Sequence, residues 1–222
     1  MKIVGIVPAR GGSKRLPRKN TADLGGKPLL QWTLDAARES NIFDKVWVSS
    51  EDYEIGSIAH ILWPNCWWRR SPKLALDTTP SIEVVKELNE AMPADVYVLL
   101  QPTSPFRTVE DIQGAMNLLG NGDSVISVTE APSDLAFEVG FAQRLRTVPN
   151  IVVPNGAIYI LTKDALDRGE TWYSGISYAY SMPKERSLDI DNGIDLEIAR
   201  ILVSKGMLSG NNQSNQVSSA KP

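Results

Sequence analysis

Two stretches of the sequence carry residue types whose spacing could do chemistry. The first, Pro8-Ala-Arg-Gly-Gly-Ser-Lys-Arg-Leu-Pro-Arg-Lys-Asn20, places Arg10, Lys14, Arg15, Arg18 and Lys19 together with no acid before Asp23. Gly11 and Gly12 let the backbone approach a ligand and turn its amides inward, and the Lys and Arg side chains supply the counter-charge that a triphosphate needs. A phosphate-binding loop is the reading this favours, against the plainer one of a solvated basic turn. It is not a Walker A sequence, since no Gly-x4-Gly-Lys-Ser/Thr occurs, and not a dinucleotide fingerprint, since Gly-x-Gly-x-x-Gly is absent. The second stretch holds Asp189 and Asp191. Two residues apart on extended backbone, their carboxylates lie on one face, and two hard oxygen ligands on one face suit magnesium. The competing reading is that Asp191 and Asn192 cap a helix beginning near Gly193, where the macrodipole favours negative charge. Asp195 reads as a first-turn helix residue rather than a third ligand.

Much other chemistry is excluded by what is scarce. The chain has 222 residues with one cysteine, Cys66, and one histidine, His60. An intrachain disulfide and a Cys/His zinc site are therefore impossible, and any Cys-His or Ser-His-Asp device would have to use His60. His60 closes an expected helix, Asp52 to Ile61, and a helix C-terminus explains it without catalysis. Cys66 reads as a small half-buried hydrophobe, and Trp63, Trp67 and Trp68 as packing or subunit-contact residues in a short connection before Arg69-Arg70. With 23 Lys+Arg against 26 Asp+Glu the net charge is −3, which argues against nucleic acid as a partner. No apolar run reaches the roughly 18 residues of a membrane helix, and no cleavable-signal pattern follows Met1, so a cytoplasmic location without membrane attachment is expected.

The elements that must position these residues follow from hydrophobic periodicity. Short β-branched runs at Ile3 to Val7, Val46 to Val48, Val96 to Leu100 and Val125 to Val128 predict buried strands. Helical spacing predicts helices over Leu29 to Arg38, Ser81 to Ala91 after Thr79 as N-cap and Pro80 at the first helical position, Thr108 to Leu119 with a capping box, and Gly193 to Ser204. Strands alternating with helices imply crossover connections and a mainly parallel α/β sheet covered on both faces. Ligands of such sheets sit beyond the carboxyl ends of the strands, so the loops after Val7, Ser49, Leu100 and Val128 are the places to look. Ser209 to Pro222 is polar and is expected to be a disordered tail.

The motifs resemble, in order, those of the N-acylneuraminate cytidylyltransferases, the CMP-sialic acid synthetases. The matching segments are Ile6 to Lys14 continuing through Leu16-Pro-Arg-Lys-Asn20 and Gly26-Lys-Pro28; Val48-Ser-Ser-Glu-Asp52; Arg70 with Leu74-Ala-Leu-Asp77 and Ser81; Leu100 to Arg107; Pro154 to Ile160; and Leu188-Asp-Ile-Asp191. The resemblance implies a Rossmann-like nucleotidyltransferase fold over residues 1–208. It also implies magnesium-dependent transfer of CMP from CTP to the anomeric hydroxyl of an acidic nine-carbon sugar, with release of pyrophosphate.

By the same resemblance, Ala9, Arg10, Gly11, Gly12 and Ser13 with Lys14, Lys19 and Asn20 would hold the nucleotide, and Arg70 and Ser81 would line it. Gln101 and Asn155 would face the acceptor, and Arg10, Lys19, Asp189 and Asp191 would carry the chemistry. The family often has arginine before Pro-Asn-Gly-Ala, where this chain has Val153. The family's subunit-contact segment corresponds to residues 129–151, whose only strong cations, Arg144 and Arg146, are expected to meet the acceptor carboxylate across a homodimer. Competing readings are a cytidylyltransferase for an eight-carbon sugar acid, a metal-dependent glycosyltransferase using Asp189-x-Asp191, and an inactive nucleotide-binding homologue.

Overall fold

The fold is taken from a computed structural model, which describes residues 1–131, 151–173 and 175–206. Its centre is a seven-stranded sheet in the order β5-β4-β1-β6-β8-β7-β9. The strands are β1 (Ile3–Pro8), β4 (Lys45–Ser50), β5 (Trp67–Arg69), β6 (Val96–Leu100), β7 (Ser124–Glu130), β8 (Val152–Thr162) and β9 (Ser177–Ser181), and a small separate hairpin joins β2 (Asp23–Leu24) to β3 (Lys27–Pro28). β8 runs antiparallel to both neighbours, and every other pairing in the large sheet is parallel.

Both faces are covered because the strand side chains alternate between two apolar layers. Val96, Val98 and Leu100 of β6 point to one face and Tyr97 and Leu99 to the other. On the first face pack α1 (Leu29–Glu39) through Leu30, Leu34 and Ala37, α2 (Tyr53–Leu62) through Ile55 and Ala59, and α4 (Val109–Leu119) through Ile112 and Ala115. On the second lie α3 (Ser81–Ala91), through Val85 and Leu88, and the short α5 (Lys163–Asp167). Each fully buried leucine in these layers contributes about 1.5–3 kcal/mol of transfer free energy. A third, smaller cluster joins α6 (Gly193–Ser204) to the β2–β3 hairpin and includes Ile190 and Phe106.

The four strands and five helices expected from the sequence are all present, with ends shifted by a residue or two. Four differences have physical causes. Pro80, not Thr79, is the residue before α3, and it makes no side-chain cap. The tryptophan-rich connection forms edge strand β5, because Trp67 packs on Gly56 and donates from its indole to the Ser50 carbonyl at 3.1 Å. Cys66 is fully buried rather than half-buried, and burial pushes its thiol up to about 11. Finally, Val152 to Thr162 continues as one strand through Pro154 and Gly156, since a register shift between Ile126 and Val128 absorbs the irregularity. Of the expected subunit-contact stretch only residues 129–131 and 151 are described; Arg144, Arg146 and the expected tail 209–222 lie outside the described residues.

Candidate active site

The site is an open cleft at the carboxyl ends of the parallel strands β1, β4, β5 and β6, where such sheets hold ligands. One wall is the loop after β1. The floor is the Gln101-Pro102-Thr103 turn after β6, and a strap from Arg70 to Ser81 closes one side. Asp189 and Asp191 enter from the other end of the chain.

The loop's cations are held by acids from three other segments. Arg10 and Lys14 both pair with Asp77 of the strap, Lys14 at 2.8 Å. Arg15 and Lys19 both reach Asp191, at 3.0 and 3.2 Å, and Arg18, in left-handed backbone with φ 57°, pairs with Glu54. Lys19 is the most enclosed, with 14% of its side chain exposed against 84% for Lys14. Asn20 is buried and donates to the Arg10 carbonyl at 2.9 Å, so it sets the loop's shape from inside. Ala9 is buried, its amide donating to Ser49, and Ser13 closes a tight turn onto the Gly11 carbonyl.

The glycines act differently from the sequence expectation. The Gly11 amide is taken by the Glu51 carboxylate at 2.8 Å, and the other Glu51 oxygen accepts from Arg70 at 2.9 Å. A Cβ at Gly11 would collide with the Asp52 carboxylate, which is fixed because it caps α2. Glycine is needed here for close approach to Asp52, whereas Gly12 stands in open space.

In the acidic wall the Asp191 side chain takes no part in the helix cap. Asn192 caps α6, accepting from Ile194 and Asp195 amides, and Asp195 answers by accepting from Asn192 and Asp191 amides. The cap is complete without the Asp191 side chain, which turns instead to Arg15 and Lys19. Ile190 is fully buried between the two acids, so Asp189 and Asp191 share the opposite, cleft-facing side. Desolvation raises the Asp189 carboxyl above its ordinary value, and the nearby Asp191 adds to this while the Thr103 hydroxyl opposes it. Among the described residues no three His, Cys, Asp or Glu side chains cluster to hold a metal. A cation at this pair would therefore complete its shell from phosphate oxygens and water, which is how magnesium is usually bound. The two carboxylates fit that mode.

The remaining expected residues divide. Arg70, Ser81 and Gln101 line the cleft; Arg70 is 4% exposed, and Ser81 accepts from the Trp172 indole at 3.0 Å. Asn155 does not line it. Its amide is fully engaged, accepting from Ser127 and the Ala157 amide and donating to Ser187 and Met182, so its place is beneath the site. Val153 is 42% exposed on β8 opposite Thr129. His60 is exposed on α2 and only accepts from the Asn65 amide at 3.4 Å.

Sequence reasoning missed five features. Asp77, quoted only within a motif, is the sole acid between Glu54 and Glu83, a signal that could have marked it as the strap's counter-charge. Glu51 bridges Gly11 and Arg70. Arg107 is buried beneath the floor, donating to the carbonyls of Gln101 and Ala157 and to Thr33; burial pulls it down to about 9, still charged at neutral pH. Tyr159 and Trp172, ring centroids 5.4 Å apart, back the cleft beside Ser81, and burial together with the neighbouring Tyr173 raises the Tyr159 hydroxyl. Gly156, at φ 79°, leaves room for the Gln101 amide, which a Cβ there would meet at 2.9 Å.

A mainly parallel sheet with a cation-rich loop after its first strand and a carboxylate pair across the cleft defines an α/β nucleotidyltransferase. The profile of the cytidylyltransferase family matches residues 4–160. The chain is 36% identical over 221 residues to an N-acylneuraminate cytidylyltransferase of Escherichia coli O18:K1:H7, covering 92% of this chain and 52% of that protein. It is 33% identical over 228 residues to a CMP-N,N'-diacetyllegionaminic acid synthase of Legionella pneumophila, covering 91% of this chain and 97% of that one. A solved CMP:2-keto-3-deoxy-manno-octonic acid synthetase complexed with CTP superposes with a TM-score of 0.73 at 16% identity, covering 93% of this chain and all of that one. The chain belongs to the cytidylyltransferase family. It spans about half the length of several curated relatives it matches and nearly the whole of the Legionella protein. Among the described residues no helix is long and apolar enough to cross a membrane.

Proposed function

We propose that the protein transfers CMP from CTP to the anomeric hydroxyl of a nonulosonic acid, releasing pyrophosphate, with Mg2+ held by Asp189 and Asp191. The observation that carries this reading is the meeting of Lys19 and Arg15 with Asp191 across one cleft, which puts phosphate-binding cations against a carboxylate pair. The names of the relatives support a nine-carbon acid as acceptor.

In this reading the triphosphate displaces the Asp77 and Asp191 partners of the loop cations, and Arg10 and Lys19 stabilise charge on the α-phosphoryl group during in-line attack. Arg70 and Ser81 hold the nucleoside side of CTP, and Gln101, its carbonyl held by Arg107 and its side chain given room by Gly156, orients the sugar acid. When bound, Mg2+ would neutralise charge on the departing pyrophosphate. Asn155 acts by holding Ser187 rather than by touching the acceptor. Arg144 and Arg146 would meet the acceptor's carboxylate from the partner in a cytoplasmic homodimer, and replacing both by alanine should raise the acceptor KM without changing that for CTP.

The test is pyrophosphate release from CTP with and without Mg2+ over a panel of nine-carbon and eight-carbon sugar acids. Metal-dependent release with a nine-carbon acid is expected. Release with only the eight-carbon acid would move the acceptor class, and CTP binding without release on any acceptor would overturn the reaction.

A further inference from the structure

Asp189 and Asp191 project from a stretch with almost no regular structure of its own. Between β9 and α6 there is only the single 3-10 turn Lys184–Arg186, so the position of the acids depends on tertiary anchors. One anchor is an ion pair whose acid lies buried on a helix outside the cleft lining. Asp111, in the first turn of α4, is fully buried, and its two oxygens accept from Arg186 Nε at 2.9 Å and Nη2 at 2.7 Å in a bidentate fork. The same carboxylate accepts from the Thr108 amide at 2.9 Å, closing the capping box of α4, and lies 3.4 Å from the Tyr180 hydroxyl. Loss of Arg186 would therefore leave a buried carboxylate without its counter-charge.

The neighbouring contacts give this pair its direction. Ser187, next in the chain, accepts from the Asn155 amide at 2.9 Å, and the Ile190 amide donates to the Thr103 carbonyl at 2.8 Å. Asp189 is thus bracketed by fixed points at 186, 187 and 190. One end of the bracket, Thr103, lies in the turn that leads into α4, and the other, Arg186, is bound to α4 itself. A single helix N-terminus consequently sets both the floor of the cleft and the turn carrying the acids.

We propose that the Asp111–Arg186 ion pair is a positioning device for the acidic pair, holding the turn that presents Asp189 and Asp191 to the cleft. The inference rests on the reading of these two acids as the Mg2+ site. Partners that orient metal-binding carboxylates alter metal affinity more than the binding of the rest of the substrate. Lysine cannot reproduce the planar two-point fork, so the charge-conserving change is informative.

The test uses the full chain as wild type, Arg186→Met and Arg186→Lys, with Asp191→Ala as the site control. Two quantities are read: Mn2+ affinity of the free protein, by water proton relaxation enhancement, and the Mg2+ concentration for half-maximal pyrophosphate release at saturating CTP. Arg186→Met should weaken Mn2+ binding and raise the Mg2+ requirement by about tenfold. Arg186→Lys should fall between it and wild type, and the KM for CTP at saturating metal should change less than about twofold, the pattern of a positioning role. Folded variants that melt lower but keep the wild-type dependence on both metals would overturn the proposal and leave the pair as a stabilising contact only. If Arg186→Met does not fold, Arg186→Lys decides on the same criterion. If wild type binds Mn2+ no better than Asp191→Ala and needs no Mg2+, the metal reading fails first and the proposal falls with it.

Discussion

The two walls of the cleft are built on opposite principles. The loop after β1 carries its charge on long side chains, several largely exposed, and most of its cations end on a carboxylate that a ligand phosphate could replace. The segment 187–191 carries its charge on short side chains fixed through buried Ile190, the Thr103 carbonyl, the Asn155 amide and the Arg186 fork. The first wall can exchange partners at small cost, since exposed ion pairs contribute little to stability. The second cannot move without disturbing the core. In the proposed reading, an arriving triphosphate would meet adaptable cations on one side and a rigid pair of acids on the other, which would fix the direction in which it is pulled.

Substitutions on the two walls should separate this contrast. Asp191→Ala is expected to cut turnover by at least about a hundredfold while the fold persists, because Asn192 and Asp195 complete the α6 cap without it; pyrophosphate release and a thermal melt check both halves. Asp189→Asn should be nearly as damaging to activity yet more stable than wild type at pH 7. Desolvation raises the native pKa of Asp189 above 3.8, so the folded protein holds this proton more tightly than the unfolded chain does. That contribution to stability is complete below the unfolded value and is lost as pH rises through the raised native value. The melting temperatures of the two proteins should therefore converge near pH 3, and a variant that melts lower than wild type at pH 7 would contradict the desolvation of Asp189.

On the adaptable wall the effects should be smaller. Asp77→Asn releases Arg10 and Lys14, and the KM for CTP is expected to fall about two- to fivefold with little change in melting temperature, as suits an exposed pair. A rise instead would mean that Asp77 holds these cations in their working positions. Lys14→Ala, at the most exposed cation of the loop, should raise the KM for CTP by only about two- to threefold and make that KM less sensitive to salt.

The contrast also decides what the sequence could reveal. The basic loop was legible because its chemistry is local: five cations without an acid, beside two glycines. The acidic pair was legible in its alternation about Ile190, yet whether Asp191 capped α6 or faced the cleft needed the position of Asn192. Asp77, Glu51 and Arg107 were not legible as site residues, because each matters through a partner brought near only by folding. β9 was missed for a related reason. Ser177–Ser181 is an edge strand with little buried surface, so it shows no apolar alternation. Asn155 was assigned to the acceptor from its motif, but a buried amide between two strands and a turn leaves no trace of its partners in the primary structure.

The Lys19–Asp191 contact closes the site over 172 positions of chain. During synthesis at about 5–20 residues per second, the basic loop would wait some 10–30 s after emerging for its acidic counterpart to be made. Through that interval the early strands β1, β4 and β6 can pair, but the nucleotide would find only half of its enclosure. Assembly order would thus separate the making of the scaffold from the onset of activity, and fragments released by premature termination before Asp189 should bind CTP poorly and transfer nothing.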